Sequence, residues 1–321
     1  MHNNFYSLLY PLTMVLMIIF AFIIMSLPVS TYPTEAFART SSITGTTASS
    51  SCKCIVFRMD DIQDDWLNSA QIAVMNLFLS KNQSLSLGSI MHIVGNDSKI
   101  VDKVKEGFHK GLFELDLHGW DHINYTKLNE SQQRDSLSKA NAKMERLFGA
   151  KSIVSIPPYD VFNNDTIKAM GQLGIKIISS GPAEEDSFDQ NRTVFVANGS
   201  RATITIATIT HDNNKGPINK SATIYHLPAT IFFKSFDNNK WVKTPLKDII
   251  GNVTRNIARY GYGVIVLHPQ DFAKSVNATT FSNSIDQKEV LDLSKLIDFF
   301  LSNNIRIMSF DKVTKYGTAV S

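Results

Sequence analysis

The sequence predicts an α/β fold in which parallel strands alternate with helices and close into a complete or distorted (β/α) barrel. Short hydrophobic runs alternate with amphipathic segments from residue 54 to residue 309, and this alternation is typical of a parallel sheet. Three of the runs also end directly at acidic or histidine residues. In a barrel the carboxyl ends of parallel strands share one face, where active sites form. We expect one barrel domain over residues 52–321.

The individual elements follow from the spacing of the apolar residues. The helix expected at 130–148, for example, carries Leu137, Ala140 and Met144 on one stripe. Residues 193–236 interrupt the alternation with short β-like runs, so we expect a β-rich excursion before the last strands. The expected strands are 54–59, 87–94, 112–117, 152–156, 175–179, 263–267 and 305–309, and the other expected helices are 66–79, 100–109, 165–173, 246–260 and 288–301.

Composition excludes a disordered chain and disfavours a nucleic-acid partner. Hydrophobic residues make up 43% of the 321 residues and charged residues 19%, which is enough to bury a large core. The formal net charge is only +3, and the Lys and Arg residues form no basic stripe interleaved with aromatics. Binding to nucleic acid therefore has no support in the sequence.

The first residues predict export. Residues 8–29 are uncharged and apolar over a length that can span a bilayer. Residues 36–38, Ala-Phe-Ala, resemble a signal-peptide cleavage site. Residues 1–38 are accordingly expected to be either a signal peptide or an uncleaved membrane anchor. Residues 39–51 are rich in Ser and Thr and are expected to form a flexible linker.

Asn-x-Ser/Thr triplets also indicate an extracellular glycoprotein. There are ten of them, each a potential glycan acceptor on a secreted protein. We therefore expect the domain at the cell surface or outside the cell, with membrane contact through the leader if it is not cleaved. The triplets begin at Asn82, Asn96, Asn124, Asn129, Asn164, Asn191, Asn198, Asn219, Asn252 and Asn277.

The two cysteines, Cys52 and Cys54, lie at the entrance of the first strand. Alternate residues of a strand point to the same face, so a disulfide between them would be strained. Structural thiols or an unusual local bridge are the two interpretations that we favour, intermolecular pairing is a third, and none of them carries the function.

The residues at the strand ends predict a metal site. His118 and His122 are four residues apart and can present two imidazoles to one side. Asp60 and Asp61 follow the first strand, where a buried carboxylate without a partner would be costly. A metal ion removes that cost, because one aspartate can join the two histidines as a ligand while the other accepts a proton from water. His268 ends another strand and is placed to act as an acid.

Four motifs resemble, in the same order, those of the polysaccharide deacetylases with the NodB-like fold, also called carbohydrate esterase family four. The likeness covers most of residues 54–316. The motifs are Phe57–Ile62, His118–His122, Pro157–Tyr159 and Leu267–Pro269.

The resemblance implies a role for each of these residues. Asp60 would be the catalytic base and His268 the acid, and the backbone N–H of Tyr159 would donate to the oxyanion. The implied metal ligands are Asp61, His118 and His122. Zn²⁺ suits this set of ligands best, and Co²⁺, Ni²⁺ or Mn²⁺ are also compatible with it.

The chain departs from the family pattern at three positions and resembles a divergent branch that lacks the arginine of the third motif. Ile156 replaces that arginine, Ile62 replaces a glycine after the acidic pair, and Gly119 replaces a Ser or Thr. In the family the arginine helps to orient the base, so here Arg58 is a candidate for that task. Trp120 and Pro158 are further candidates for substrate or support contacts.

The activity implied by the resemblance is metal-dependent hydrolysis of carbon–nitrogen amide bonds other than peptide bonds. The expected substrate is an acetylated polysaccharide or glycoconjugate that loses N-acetyl groups, with O-acetyl groups as a second substrate type. The alternative is a surface protein of the same fold that binds a glycan or a metal without turnover. Since Asp60 and His268 are both present, the enzyme is the preferred interpretation.

Overall fold

The computed structural model describes residues 51–181 and 224–317. Its strands are β1 Cys54–Ile62, β2 Leu85–Ser89, β3 Phe113–Leu117, β4 Val154–Ser155, β5 Ile177–Ile178, β6 Tyr225–His226, β7 Ile231–Phe232, β8 Lys234–Asp237, β9 Lys240–Lys243, β10 Tyr262–Leu267, β11 Ala273–Ser275, β12 Phe281–Ile285 and β13 Arg306–Ile307. Its helices are α1 Asn68–Ser80, α2 Ser98–His109, α3 Glu130–Phe148, α4 Asn164–Gln172, α5 Leu246–Tyr260, α6 Gln287–Ser302 and α7 Phe310–Gly317.

Nine of the described strands form one sheet in which every pairing is parallel. The order is β6-β5-β4-β3-β2-β1-β10-β7, and β13 pairs with the first residues of β1. The central strand β1 pairs with β10 over six residues, from Cys54 to Met59. Because helices cover a parallel sheet, its central strands are buried along their length; β10 has no charged residue, and β1 is apolar from Cys54 to Phe57 before the charged residues of the site begin.

The sheet is curled into a distorted barrel. Strands β6 and β7 lie at opposite ends of the strand order, yet only four residues of chain lie between His226 and Ile231, a span of at most about 18 Å. The segment between them bridges the two edges. The Ala229 N–H donates to the Ser180 carbonyl at 2.7 Å, and the Thr230 N–H donates to the Val264 carbonyl at 2.8 Å. The expected (β/α) barrel is thereby confirmed.

Apolar packing between strands and helices holds the barrel together. The Phe57 ring of β1 contacts Phe78 of α1 at 5.2 Å and Phe300 of α6 at 6.4 Å between ring centroids, both edge to face. All three side chains are fully buried. Such aromatic pairs add about 0.5–1.5 kcal/mol each beyond the area that they bury. Helices from both ends of the domain are thus fixed to the strand that carries Asp60 and Asp61.

Several elements differ from their predictions. The strand expected at 87–94 ends at Ser89 and continues as a turn. Tyr225 and His226 are not part of an excursion. They form parallel pairs with Ile177 and Ile178 of β5 and so extend the main sheet by one strand. The hairpins β8–β9 and β11–β12 and the short helix α7 were not predicted. The part of the expected excursion at 193–223 lies outside the described residues.

The leader expected at 1–38 and all but the last residue of the linker expected at 39–51 also lie outside the described residues. So do the triplets that begin at Asn191, Asn198 and Asn219. Among the residues that the structure describes, no helix has the length and apolar character needed to cross a membrane. The described residues all fall in one compact unit.

The cysteines form the local bridge. Cys52 and Cys54 are joined in a disulfide, and both side chains are fully buried at the start of β1. They lie in an apolar cluster with Val56, Val264 and Phe310, far along the strand from the residues of the expected site.

Two helical glycines provide a test of the packing. A Cβ at Gly107 in α2 would lie 1.9 Å from the ring of Phe113, whereas at Gly251 in α5 its nearest neighbour would be Arg255 at 3.5 Å. We expect Gly107→Ala to lower the free energy of unfolding by about 1–3 kcal/mol because the buried ring must move. Gly251→Ala should raise it by about 0.5–1 kcal/mol. Urea unfolding of both variants measures the difference, and equal stability would contradict the packing described here.

Candidate active site

A cleft of about 640 Å³ opens at the carboxyl ends of the central strands. It contains residues from β1, from the segments after β3, β4 and β10, and from the β8–β9 hairpin. The residues that line it are Asp60, Asp61, His118, His122, Tyr159, Asp160, Phe232, Lys234, Ser235, Phe236, Trp241, His268 and Gln270. The three strand-end motifs that lie far apart in the sequence therefore converge on one cavity.

The side chains of Asp61, His118 and His122 lie close enough together to bind one metal ion. Both histidine Nε2 atoms face one oxygen of Asp61, at 3.3 Å for His118 and 3.4 Å for His122. Asp61 has φ 59° at a register shift between β1 and β2. This left-handed conformation is uncommon for residues other than glycine. Asp61 is thereby turned toward the histidines at the point where the strand ends.

The geometry of this group fits a divalent ion. In a tetrahedral site with bonds of about 2.0–2.1 Å, neighbouring ligand atoms lie about 3.3–3.4 Å apart, which matches the Asp61–His118 and Asp61–His122 distances. The Nδ1 atom of His118 lies 2.8 Å from the Ile156 carbonyl. A proton on Nδ1 donates to that carbonyl and leaves Nε2 free as a ligand, the arrangement usual for metal-binding histidines.

The surroundings shift the pKa values of Asp61 and His122, but not that of His118, toward the forms that bind a metal. Burial alone would raise the pKa of Asp61, but the hydrogen bond with His118 and the charges of the three nearby histidines hold that pKa well below its ordinary value. Burial, followed by the charge of His118, lowers the pKa of His122. His118 differs, because despite its burial the hydrogen bond with Asp61 and the charge of Asp60 raise its pKa. A metal ion would therefore displace a proton from His118.

The guanidinium of Arg58 forms an ion pair with the carboxylate of Asp60. Its Nε lies 2.9 Å from one carboxylate oxygen of Asp60, and its Nη2 lies 2.6 Å from the other. Arg58 is fully buried and Asp60 is 2% exposed, so the pair is a charge-assisted fork inside the barrel. Gly88 on β2 leaves the room for it, since a Cβ there would lie 3.0 Å from the Asp60 carboxylate.

The same guanidinium binds a second carboxylate that the sequence reasoning missed. Arg58 Nη2 donates to Asp160 at 2.7 Å, and Nη1 donates to the Ser179 hydroxyl at 3.1 Å. Burial acts to lower the pKa of Arg58, but the charges of Asp160 and Asp60 raise it above its ordinary value, so the guanidinium stays charged. Its position directly after the third motif was the only signal of Asp160 that the sequence offered. In the structure Asp160 has φ 57°.

Ile156 occupies the position of the missing arginine and packs into the core. Its side chain is fully buried in the apolar cluster with Val154 and Val264. Only its backbone carbonyl takes part in the site, through His118. The cation next to Asp60 therefore comes from β1.

His268 directly follows β10, the strand that pairs with β1, and also lines the cleft. Its ring is stacked on Phe232 with centroids 6.4 Å apart, and its backbone N–H donates to Asp271 at 2.8 Å. Burial raises the pKa of Asp271 to about 6, although the charge of His268 and the hydrogen bond from its backbone act in the opposite direction. Gln270, with 5% exposure, also faces the cleft and was not predicted.

Of the other residues predicted for the site, one lines the cleft and two lie outside it. Tyr159 lines the cleft with its ring 4.5 Å from that of His122. Trp120 does not line it; its indole ring lies 5.0 Å from the ring of His92 and 5.7 Å from the Lys143 ammonium. Pro158 is buried and supports the turn.

Gly119 in the second motif has a structural reason. Its φ is +82°, and a Cβ there would lie 2.8 Å from the Asp121 carbonyl. Glycine adopts this conformation without strain, so the departure from Ser or Thr reflects the tight turn that brings His118 and His122 together.

Residues 51–178 match a family model described as polysaccharide deacetylase. This match confirms the resemblance that the motifs indicated, and the departure at Ile156 is consistent with a divergent branch. The chain therefore has the (β/α) barrel of the polysaccharide deacetylases, a class of hydrolases. No curated protein matches its sequence.

Solved structures of this class resemble the chain at low identity. A Mycobacterium smegmatis protein assigned to the polysaccharide deacetylases has 11% identity and a TM-score of 0.55, with 85% of this chain and 93% of that chain covered. That likeness supports the shared fold. The Xyl-CE4 domain of a xylanase from the hindgut metagenome of Trinervitermes trinervoides has 12% identity, a TM-score of 0.48 and coverages of 82% and 89%. A CE4 family pseudoenzyme from Bacillus anthracis has 12% identity, a TM-score of 0.49 and coverages of 81% and 65%.

The contribution of the Arg58 fork can be measured by unfolding. We expect Arg58→Ala to lower the free energy of unfolding by about 3–5 kcal/mol, because buried Asp60 loses its counter-charge. Adding Asp60→Asn should recover part of this loss, since no unpaired charge is then left at that position. Arg255→Ala on the exposed face of α5 is the control, with an expected change within about 0.5 kcal/mol. A loss in Arg58→Ala no larger than in the control would contradict the fork.

Asp271 predicts a distinct pH dependence of stability. Its folded-state pKa of about 6 lies above its ordinary value of 3.8, so the folded protein binds this proton more tightly than the unfolded chain does. Protonation of Asp271 therefore adds nothing to the free energy of unfolding above about pH 7, and it adds about 2–3 kcal/mol as the pH falls toward 4. Comparing urea unfolding of the wild type and Asp271→Asn across this range isolates it. A difference between the two proteins that is independent of pH would refute the shift.

Proposed function

We propose that the protein is a metal-dependent hydrolase that removes N-acetyl groups from an extracellular or cell-surface glycan, with O-acetyl groups as a second substrate type. The observation that carries the proposal is the convergence of Asp61, His118 and His122 at metal-ligand distances in one cleft with Asp60 and His268. The alternative, a glycan- or metal-binding protein without turnover, gives no reason for a carboxylate and a further histidine, Asp60 and His268, in the same cleft as that ligand group.

Asp61, His118 and His122 are the residues that would hold the ion, for which Zn²⁺ is our first choice and Co²⁺, Ni²⁺ or Mn²⁺ are further candidates. When bound, a divalent ion there supplies Lewis-acid polarisation of the substrate carbonyl and a lowered pKa for water. The three side chains present their ligand atoms toward the open cleft, so substrate can reach the same point.

Asp60 acts as the general base in this proposal. Its carboxylate accepts a proton from the attacking water, and the Arg58 fork fixes the direction in which the carboxylate points. Arg58 thus takes the orienting role of the absent third-motif arginine. Asp160 and Ser179 hold the guanidinium in turn.

His268 completes the step. It donates a proton to the departing amine nitrogen, so that acetate and a free amine leave the cleft. The backbone N–H of Tyr159, at a turn with φ 61°, donates to the oxyanion that forms on the substrate carbonyl. Each of these roles is a part of the proposal.

We further propose that the domain works outside the cell, secreted or held at the membrane by its leader. The apolar run at 8–29 and the ten Asn-x-Ser/Thr triplets support this location. A glycan substrate fits the same surroundings. We propose no nucleic-acid partner.

The proposal predicts one bound divalent ion per chain and acetate release from acetylated glycans. Elemental analysis of the purified protein should find the ion, and His118→Ala/His122→Ala should lose it. Asp60→Asn and His268→Ala should keep the ion and release acetate at least about 100-fold more slowly, the usual contribution of a general base or acid.

His109→Ala is the control, since this histidine is exposed at the end of α2 and outside the cleft. It should leave both the ion and the rate unchanged. Acetate release that survives in both Asp60→Asn and His268→Ala would overturn the assigned roles. A protein without a specific ion would remove the basis for hydrolysis.

A further inference from the structure

The β8–β9 hairpin forms an unpredicted wall of the cleft. Asn238 and Asn239 connect the two strands, with φ values of 47° and 60°. Two residues with positive φ are typical of a tight type I′ turn, which sets the register of a hairpin. Phe236 consequently lies directly opposite Trp241. Both side chains line the cleft.

The two aromatic rings continue the cleft outward from the proposed acid. The Trp241 ring lies 6.1 Å from the ring of His268, and the Phe236 ring lies a further 5.4 Å from that of Trp241, edge to face. Phe236 is 54% exposed. An exposed Phe side chain at the mouth of a cleft costs free energy in water, and a ligand that covers it recovers that free energy.

Ion pairs fix the base of the hairpin. Lys243 and Lys234 lie on the same face as the aromatic pair, one step back along each strand. Lys243 contacts Asp292 at 2.5 Å and also contacts Glu289, and Lys234 lies 3.9 Å from Glu289. Both acidic residues belong to α6. The wall is therefore positioned before a ligand arrives, which reduces the ordering cost of binding.

Tyr159 is a third aromatic side chain that lines the cleft. Tyr159 is 61% exposed and packs against His122. Aromatic faces combined with polar groups such as Lys234 and Gln270 match a ligand with apolar C–H faces and hydroxyl edges. A pyranose ring has this character. A single acetamide group needs only the region between Asp61 and His268, so the hairpin lies where the next ring of a chain would be.

We propose that Phe236 and Trp241 bind a sugar ring adjacent to the one whose acetamide enters the metal site. The protein therefore selects chains of acetylated sugars over single acetylated sugars. This inference rests on the proposed function for the position of the reacting ring.

Binding of oligosaccharides of different length tests the wall separately from catalysis. N-acetylglucosamine and its β-linked tetramer, and acetylated xylose and its tetramer, are titrated calorimetrically into metal-loaded protein that carries Asp60→Asn. In at least one sugar series the tetramer should bind about tenfold more tightly than the monomer. Phe236→Ala and Trp241→Ala should each reduce this ratio to below about threefold, while Trp241→Phe should retain most of it.

Val242→Ala is the matched control, because Val242 lies beside Trp241 on the opposite face of the hairpin and is 39% exposed. It should retain the full length preference. Circular dichroism checks the fold of each variant, and Phe236→Ala alone decides the test if Trp241→Ala does not fold, since Phe236 lies at the surface.

The outcomes separate the two proposals when acetate release is measured in parallel on the Asp60-containing protein. A length preference that depends on Phe236 and Trp241 supports the wall, even if no acetate is released and hydrolysis fails. Acetate release without a length preference supports hydrolysis and overturns the wall. Equal affinity for monomer and tetramer in both series, or a preference unchanged in Phe236→Ala and Trp241→Ala, also overturns it.

Discussion

The guanidinium of Arg58 between two carboxylates is the interaction on which the site depends. It is fully buried in the middle of the central strand, where it binds Asp60 with two nitrogens and Asp160 with one. An unpaired charge at that depth would be strongly unfavourable, so each of the three groups requires the others. Because Asp160 follows Tyr159 directly, this interaction also ties the turn after β4 to the end of β1.

Among the described residues, two carboxylic acids of β3, Glu114 and Asp116, have raised pKa values. Asp116 on β3 is fully buried and has no hydrogen-bond partner among the described residues. Burial, together with the charges of Glu114 and Asp60, raises its pKa well above the ordinary value and favours its neutral form. Glu114 accepts hydrogen bonds from Ser86 and from backbone N–H groups at the start of α7. Arg58 is then left to balance the carboxylates nearest the cleft.

The longer helices and strands were predictable from the sequence, but the short strands that complete the barrel were not. The helix at 130–148 was predicted with its observed bounds because its apolar stripe has a clear helical period and a capping box begins it. Strands β4, β5, β6 and β7 have only two residues each, too few for any periodic signal. The β8–β9 hairpin did carry a signal, since two asparagines between aromatic residues are typical of a tight turn.

The sequence by itself determined the strand ends that carry Asp60, Asp61, His118 and His268, because local hydrophobic runs and adjacent polar motifs are properties of neighbouring residues. It also contained the family motifs and their departures. Only the tertiary structure decided which cation lies against Asp60 and which aromatic residues lie beside His268. Arg58 is separated from Asp160 by 102 positions and from Ser179 by 121, and such pairings exist only once a curled sheet has brought distant strand ends together.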